Sequence, residues 1–368
     1  MFRQYRLKQY NFKLIIFVVA LSMIGYFAIG SAKESVQSRQ MYGIICGVLI
    51  MIVVSVFDYS MILYFYWGLY AVNVALLTAV LLFGVKRNGS TRWIDLGIQF
   101  QPSELAKILL ILFFAQFIMK NKERINQPRI IILSIALLAA PLALIYKEPD
   151  LSTSIMVVLT FCIMMFIGGI SYKLVGAILA ILIPVGIAFF SIILQADQHI
   201  LEGYQIVRIL AWLQPEKYAD SAAYQQLNSI TAIGSGQLVG KGLNNNVIAS
   251  VKNGNFISEP QTDFIYAVVG EELGFIGAVS VILLLILIVI ECLKIARNAK
   301  DMAGTIIAVG VASVIGLQGF MNIAVATGLL PNTGIPLPFV SYGLTSLVSL
   351  FGGIGIVLNI GLQGKKYK

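Results

Sequence analysis

Apolar runs long enough to cross a lipid bilayer recur along this chain from Leu14 to Leu362, and they limit what it can fold into more than any other feature. A helix needs about 20 predominantly apolar residues to cross a hydrocarbon core ~30 Å thick. In lipid, only helices and closed barrels satisfy their own backbone polar groups. A barrel would show alternating segments of about ten residues, which are absent. The mean hydropathy of +0.88, with 58% hydrophobic and 12% charged residues, agrees. The chain is therefore read as an all-α, polytopic integral membrane protein.

About ten transmembrane helices are expected, over 14–30, 41–57, 61–84, 102–119, 130–147, 152–169, 174–194, 263–293, 303–327 and 341–362. Residues 1–368 form a single membrane domain, with 194–262 as a large extracytoplasmic loop between helices 7 and 8 and 263–368 carrying helices 8–10. The 263–293 run exceeds a straight crossing, so part of it must tilt or project. The basic start, apolar stretch and "AIGSAKES" ending of residues 1–31 resemble a secretory signal. The apolar part is longer than a signal core of ~7–15 residues, so an uncleaved first helix is expected.

Charge sets the orientation. One alternating set of loops and tails carries fifteen Lys and Arg, among them Arg3, Lys120, Arg124, Lys294 and Lys365. The other carries ten, spread over a total that includes the long outer loop. The positive-inside rule then places both termini in the cytoplasm and the segments 85–101, 194–262 and 328–339 outside. The net charge of +9 does not indicate nucleic acid, because the basic residues are scattered over loop ends. Cys46, Cys162 and Cys292 lie in apolar runs without CxxC spacing, and His199 is the single histidine. A disulfide framework or a histidine-ligated metal is not expected.

Five stretches carry polar chemistry. In "RWIDLGIQFQPSELAKI" (92–108), Pro102 suits a helix start, and Glu104 and Lys107 share one helix face three residues apart. They read either as a snorkelling ion pair or as a site at membrane depth. Arg92 suits a phosphate and Trp93 an interface. In "EPDLSTS" (148–154), Asp150 or Ser152 would cap a helix. "GLLPNTGIPLPF" (328–339) cannot be a plain helix and is either a buried re-entrant segment or a connector. The outer loop contains the amphipathic "YQIVRILAWL" (204–213), suited to lying along the interface, and a Gly- and Asn-rich stretch. In "PQTDFIYAVVGEELGF" (260–275), adjacent Glu271 and Glu272 point about 100° apart and read as partly structural. Gly270 and Gly274 would admit a close neighbour. Asp263 stands at the water boundary, as a helix cap or as a proton acceptor.

Taken together, "RWIDLGIQFQPSELAKI", "EPDLSTS", "YQQLNSITAIGSGQLVGKGL", "PQTDFIYAVVGEELGF" and "GLLPNTGIPLPFVSYG" resemble, in order, the motifs of the SEDS family, the shape, elongation, division and sporulation proteins. The likeness covers nearly the whole chain and is nearer to RodA than to FtsW or SpoVE. It implies a peptidoglycan glycosyltransferase of the bacterial cytoplasmic (inner) membrane. The implied substrate is lipid II, with its undecaprenyl-diphosphate tail, and the implied partner is a class B penicillin-binding protein. The resemblance makes Asp263 the essential acid and implies substrate contacts from Arg92, Trp93, Glu104, Lys107, Gln225 and Ser229. Three positions depart from the family pattern. Asn228 replaces a usual Gln, Gln237 a usual Gly, and "SYGLTS" a usual "SYGGSS".

Polymerisation of such a substrate calls for a base on the acceptor hydroxyl, the role expected of Asp263, and one inversion without a covalent intermediate. It also calls for positive charge on the leaving diphosphate, from Arg92, Lys107 or a divalent cation such as magnesium or manganese. The alternative is a lipid II flippase, because broken helices and intramembrane charges are typical of transporters.

Overall fold

The computed structural model describes residues 10–364 except 88–89, 96, 98, 178–179, 181–183, 185–202 and 245–255. The chain opens with α1 (Phe12–Ala32) and α2 (Glu34–Val56). Asn11 caps α1 by accepting from the backbone N–H of Leu14 at 3.1 Å, satisfying one of the N–H groups a helix start leaves unpaired. The run expected as one span over 61–84 is divided into α3 (Tyr59–Tyr64) and α4 (Tyr66–Phe83), because Phe65 leaves helical geometry. Where a plain loop is expected over 85–101, three short antiparallel strands form: β1 (Val85–Arg87), β2 (Ser90–Asp95) and β3 (Gln99–Phe100), in that order.

The remaining helices are α5 (Pro102–Lys120), α6 (Pro128–Lys147), α7 (Leu151–Ile167), α8 (Gly203–Leu213), α9 (Tyr224–Ser235), α10 (Ile265–Arg297), α11 (Met302–Ala326) and α12 (Leu344–Leu362). Among the described residues, eight helices are long and apolar enough to cross a membrane. They are α1, α2, α4, α5, α6, α10, α11 and α12. The shorter α7 is apolar over 17 residues, and the span expected at 174–194 falls largely outside the described residues. The chain is a multi-pass α-helical membrane protein. Helices α5, α11 and α12 are enclosed by their neighbours, whereas α4 and α6 turn most of their apolar surface outward.

The long run after Asp263 is accommodated by a break. At Gly274 (φ 65°, ψ −163°) α10 leaves helical geometry. A break strands backbone groups on both sides, and the segment that follows α9 satisfies them. The N–H groups of Phe275 and Ile276 donate to the carbonyls of Gln237 (2.8 Å) and Leu238 (3.2 Å). The carbonyls of Glu271 and Glu272 accept from the N–H groups of Lys241 and Gly242, both at 3.0 Å. A Cβ at Gly274 would stand 2.7 Å from the Leu238 carbonyl oxygen, so the close approach needs glycine. The two adjacent glutamates serve this joint. Glu271 pairs with Lys241 at 2.7 Å. Glu272 accepts from the hydroxyl of Ser31 on α1, and that oxygen accepts the N–H of Asn244 at 3.1 Å.

Segment 328–339 is irregular and partly buried, with Ile335, Leu337 and Phe339 inside. Six of its carbonyls accept from side chains. Gly328 takes Trp212 Nε1 at 3.0 Å, Leu330 takes Gln226 Nε2 at 2.7 Å, and Asn332 takes Arg208 at 3.3 Å. Thr333 takes the Ser152 hydroxyl at 2.7 Å, Ile335 takes Asn322 Nδ2 at 2.7 Å, and Pro336 takes Gln318 Nε2 at 3.0 Å. Of the two readings open for this stretch, the buried one is observed.

Gln237, where the resemblance leads one to expect glycine, sits in the left-handed region at φ 49°. That conformation costs an L-residue ~1–2 kcal/mol. Gln237→Gly is expected to raise Tm of the detergent-solubilised protein by roughly 2 °C. A lower Tm would mean that the glutamine side chain contributes more than the strain removes.

Candidate active site

Asp263 lies where the segment after α9 meets α10, and three consecutive backbone carbonyls around it are held from other elements. Gln261 accepts from the Tyr342 N–H at 2.8 Å, Thr262 from the Ser341 hydroxyl at 2.6 Å, and Asp263 from Asn322 Nδ2 at 2.7 Å. Asp263 does not cap the helix: the cap position is Phe264, with no side-chain hydrogen bond. Gly334 lies against the carboxylate, where a Cβ would sit 3.3 Å from Oδ2. This glycine has φ 71°, so both its backbone and its neighbour exclude a side chain.

The charges around Asp263 come from four elements. Burial pushes its carboxyl up to about 6, against the pull of Arg208 and Arg92, while Asp150 and Glu259 add to the rise. Removing solvent disfavours the charged form, and neighbouring cations favour it. The result is a group that is ionised at neutral pH yet basic enough to take a proton, as a general base requires.

Arg92 is fixed by the turn between α6 and α7. Its Nε donates to the Glu148 carbonyl at 3.2 Å, a terminal nitrogen donates to the Pro149 carbonyl, and its guanidinium stands 3.9 Å from Asp150 Oδ2. Asp150 also caps α7 by accepting from the Thr153 N–H at 3.1 Å. The Glu148 side chain is fully buried, and neither carboxylate oxygen has a hydrogen-bond partner. Burial and Asp150 push its carboxyl up to about 8, against Arg92, so it is neutral at pH 7.

The other residues singled out in the sequence fall in different places. Trp93 follows Arg92 in β2, so the two point to opposite faces of the strand. Glu104 and Lys107 are both buried and paired at 2.8 Å, and Lys107 also donates to Gln318 Oε1 at 2.9 Å. Gln225 donates to the Ser258 hydroxyl, and Ser229 donates to the Ala326 carbonyl at 2.8 Å. Asp263, Arg92 and Asp150 are brought together; Gln225 ties α9 to Ser258, and Ser229 ties it to the end of α11. Asn228, where the resemblance leads one to expect Gln, donates to the Phe256 carbonyl at 3.1 Å.

Arg208 is the residue the sequence reading missed. It is the single charged group in "YQIVRILAWL", which reads as an interfacial helix. A lone cation on an otherwise apolar helix face was the available signal. No group of three or more His, Cys, Asp or Glu side chains able to hold a metal occurs among the described residues, and the charges bearing on Asp263 include two guanidiniums. A metal cage built from protein ligands does not fit this centre.

The family model for cell cycle proteins of the FtsW, RodA and SpoVE type matches residues 7–366. The peptidoglycan glycosyltransferase MrdB of Escherichia coli strain K12 is 36% identical over 358 residues, covering 94% of this chain and 92% of the relative. Stage V sporulation protein E of Bacillus subtilis strain 168 is 36% identical over 293 residues, covering 77% of this chain and 75% of the relative. Among solved structures, a chain from a study of how a peptidoglycan synthase complex coordinates polymerization and crosslinking superposes with a TM-score of 0.78 at 27% identity, covering 96% of this chain and 97% of that one. The rod shape determining protein RodA of Thermus thermophilus, crystallised as a mutant, superposes with a TM-score of 0.68 at 25% identity and the same coverage. A fold matched along almost its whole length, relatives above 30% identity and a family match from residue 7 to residue 366 lead to one assignment: this chain belongs to the FtsW/RodA/SpoVE family of cell cycle proteins.

Proposed function

We propose that this protein is a peptidoglycan glycosyltransferase that polymerises lipid II at the outer face of the bacterial cytoplasmic membrane, with Asp263 as general base. The observation that carries the reading is a carboxylate that caps no helix, has Gly334 against it and its backbone held by Asn322, and feels the charges of Arg208 and Arg92. Asp263 takes the proton of the acceptor GlcNAc 4-hydroxyl while that oxygen bonds to the anomeric carbon of the donor MurNAc. The bond from that carbon to the diphosphate breaks, and its electron pair leaves with undecaprenyl diphosphate. One displacement turns the α-linked donor into a β-linked product. Arg92 and Arg208 offset charge on the leaving diphosphate, a role suited to the planar, permanently charged guanidinium. A divalent cation, magnesium or manganese, would enter with the diphosphate and not in a protein cage, and would help to offset its charge.

The same reading places both termini in the cytoplasm and gives the protein a class B penicillin-binding protein as its crosslinking partner. Two observations support these points: the excess of basic residues on the terminal side, and the likeness to a chain from a complex that couples polymerization to crosslinking.

Asp263→Asn keeps the size of the side chain and removes the proton acceptor. Because Asp263 caps nothing, we expect Tm to change little and glycan formation from purified lipid II to fall ~10²–10⁴-fold. Near-normal polymerisation would remove Asp263 from the base role. In the wild type, the rate should rise with pH as the carboxyl ionises near 6 and level off above it; a flat profile from pH 5 to 8 would contradict this. For orientation, Lys217→Cys in a background lacking the three native cysteines should react with an impermeant maleimide added from outside. Labelling only after permeabilisation would reverse the topology.

A further inference from the structure

The buried Glu104–Lys107 pair sits on α5 and Asp263 just before α10, and one face of α11 connects them. Gln318 and Asn322 are four residues apart on that helix, one turn along the same face. Both are almost fully buried. Gln318 accepts from Lys107 Nζ at 2.9 Å with its oxygen and donates to the Pro336 carbonyl at 3.0 Å with its nitrogen. Asn322 donates to the Ile335 carbonyl and to the Asp263 carbonyl, each at 2.7 Å. Gly334, beside Ile335, forms the wall against the Asp263 carboxylate. Two carboxamides thus tie the ammonium of Lys107, the backbone at 335–336 and the backbone of Asp263 into one ladder.

We propose that Gln318 and Asn322 are positioning residues for Asp263, and that the Glu104–Lys107 pair acts on the reaction through them without touching substrate. The proposal rests on the reading of Asp263 as the base. Each carboxamide is oriented by its partners. Lys107 can only donate, so the Gln318 oxygen faces it and the nitrogen must face Pro336. Proline has no N–H, so Pro336 can contribute its carbonyl but cannot add a donor of its own. Asn322 has two carbonyls to meet and uses its nitrogen for both. A shift of Lys107 would move Gln318, then the 334–336 wall, and with it the position of the carboxylate relative to the acceptor hydroxyl. Misplacement of a reacting group by about 1 Å costs ~10²-fold in rate.

The test is a set of variants assayed for lipid II polymerisation, with kcat, KM and Tm measured on each preparation. Asn322→Leu and Gln318→Leu are expected to lower kcat ~10–100-fold with KM within about twofold of wild type. Gln318→Glu is the discriminating change, because it keeps the acceptor for Lys107 and removes the donor to Pro336. It should be as slow as Gln318→Leu. Lys107→Met alone would leave Glu104 buried and uncompensated, so the pair is replaced together as Glu104→Leu/Lys107→Met, which buried ion pairs generally tolerate. That double variant should also lose kcat and not affinity, and adding Gln318→Leu to it should slow the enzyme no further, as residues acting through one chain are not additive. A raised KM with unchanged kcat in Glu104→Leu/Lys107→Met would mean that the pair binds substrate, and wild-type kcat in Gln318→Glu would break the ladder. Either result with an inactive Asp263→Asn overturns this inference alone; an active Asp263→Asn overturns the base reading instead.

Discussion

Backbone that is neither helix nor strand can lie inside a membrane protein only if other groups satisfy it, and segment 328–339 is such a backbone. It carries prolines at 331, 336 and 338, each of which removes a donor and leaves a carbonyl to be met. The donors come from α7, α8, α9 and α11. One irregular segment therefore sets where four helices must stand. Asp263 gains its surroundings from the same arrangement, because Gly334 faces its carboxylate and Asn322 holds both its carbonyl and that of Ile335.

Much of this was legible from residue types alone. Three prolines in twelve residues excluded a helix at 328–339, and an apolar run of more than thirty residues after Asp263 could not cross the membrane straight. The two adjacent glutamates were legible as structural because neighbours on a helix cannot share one partner. The rest was hidden by residue type. Gln318 and Asn322 are neutral amides in a run of Ala, Val, Ile and Gly, where nothing distinguishes a bridging amide from a solitary one. Arg208 was hidden by its helix, whose amphipathic pattern has a sufficient explanation in the membrane surface. The division between α3 and α4 has no proline or glycine at Phe65 to mark it.

Surroundings separate three acids that the sequence presents alike. Glu148 is enclosed and carries no hydrogen bond on its carboxylate, so it stays neutral. Asp150 is committed to the Thr153 N–H and lies near Arg92, fixing both the start of α7 and the orientation of the guanidinium. Asp263 is partly enclosed, which pushes its carboxyl up to about 6 against the pull of Arg208 and Arg92. Burial and neighbouring charge, not residue type, separate Glu148 from Asp263.

The break at Gly274 divides α10 into two pieces, and the segment after α9 is bonded to both. The first piece, from Ile265 to the break, is held through the carbonyls of Glu271 and Glu272 and the Lys241–Glu271 pair, and the second through the N–H groups of Phe275 and Ile276. The second piece runs on to Arg297 as a long apolar rod. A bilayer that thickens or thins imposes a hydrophobic mismatch that helices relieve by changing their inclination. Because one segment is bonded on both sides of Gly274, the bend is clamped and is not a free hinge, so the inclination of the rod is fixed by the same joint that leads up to Asp263.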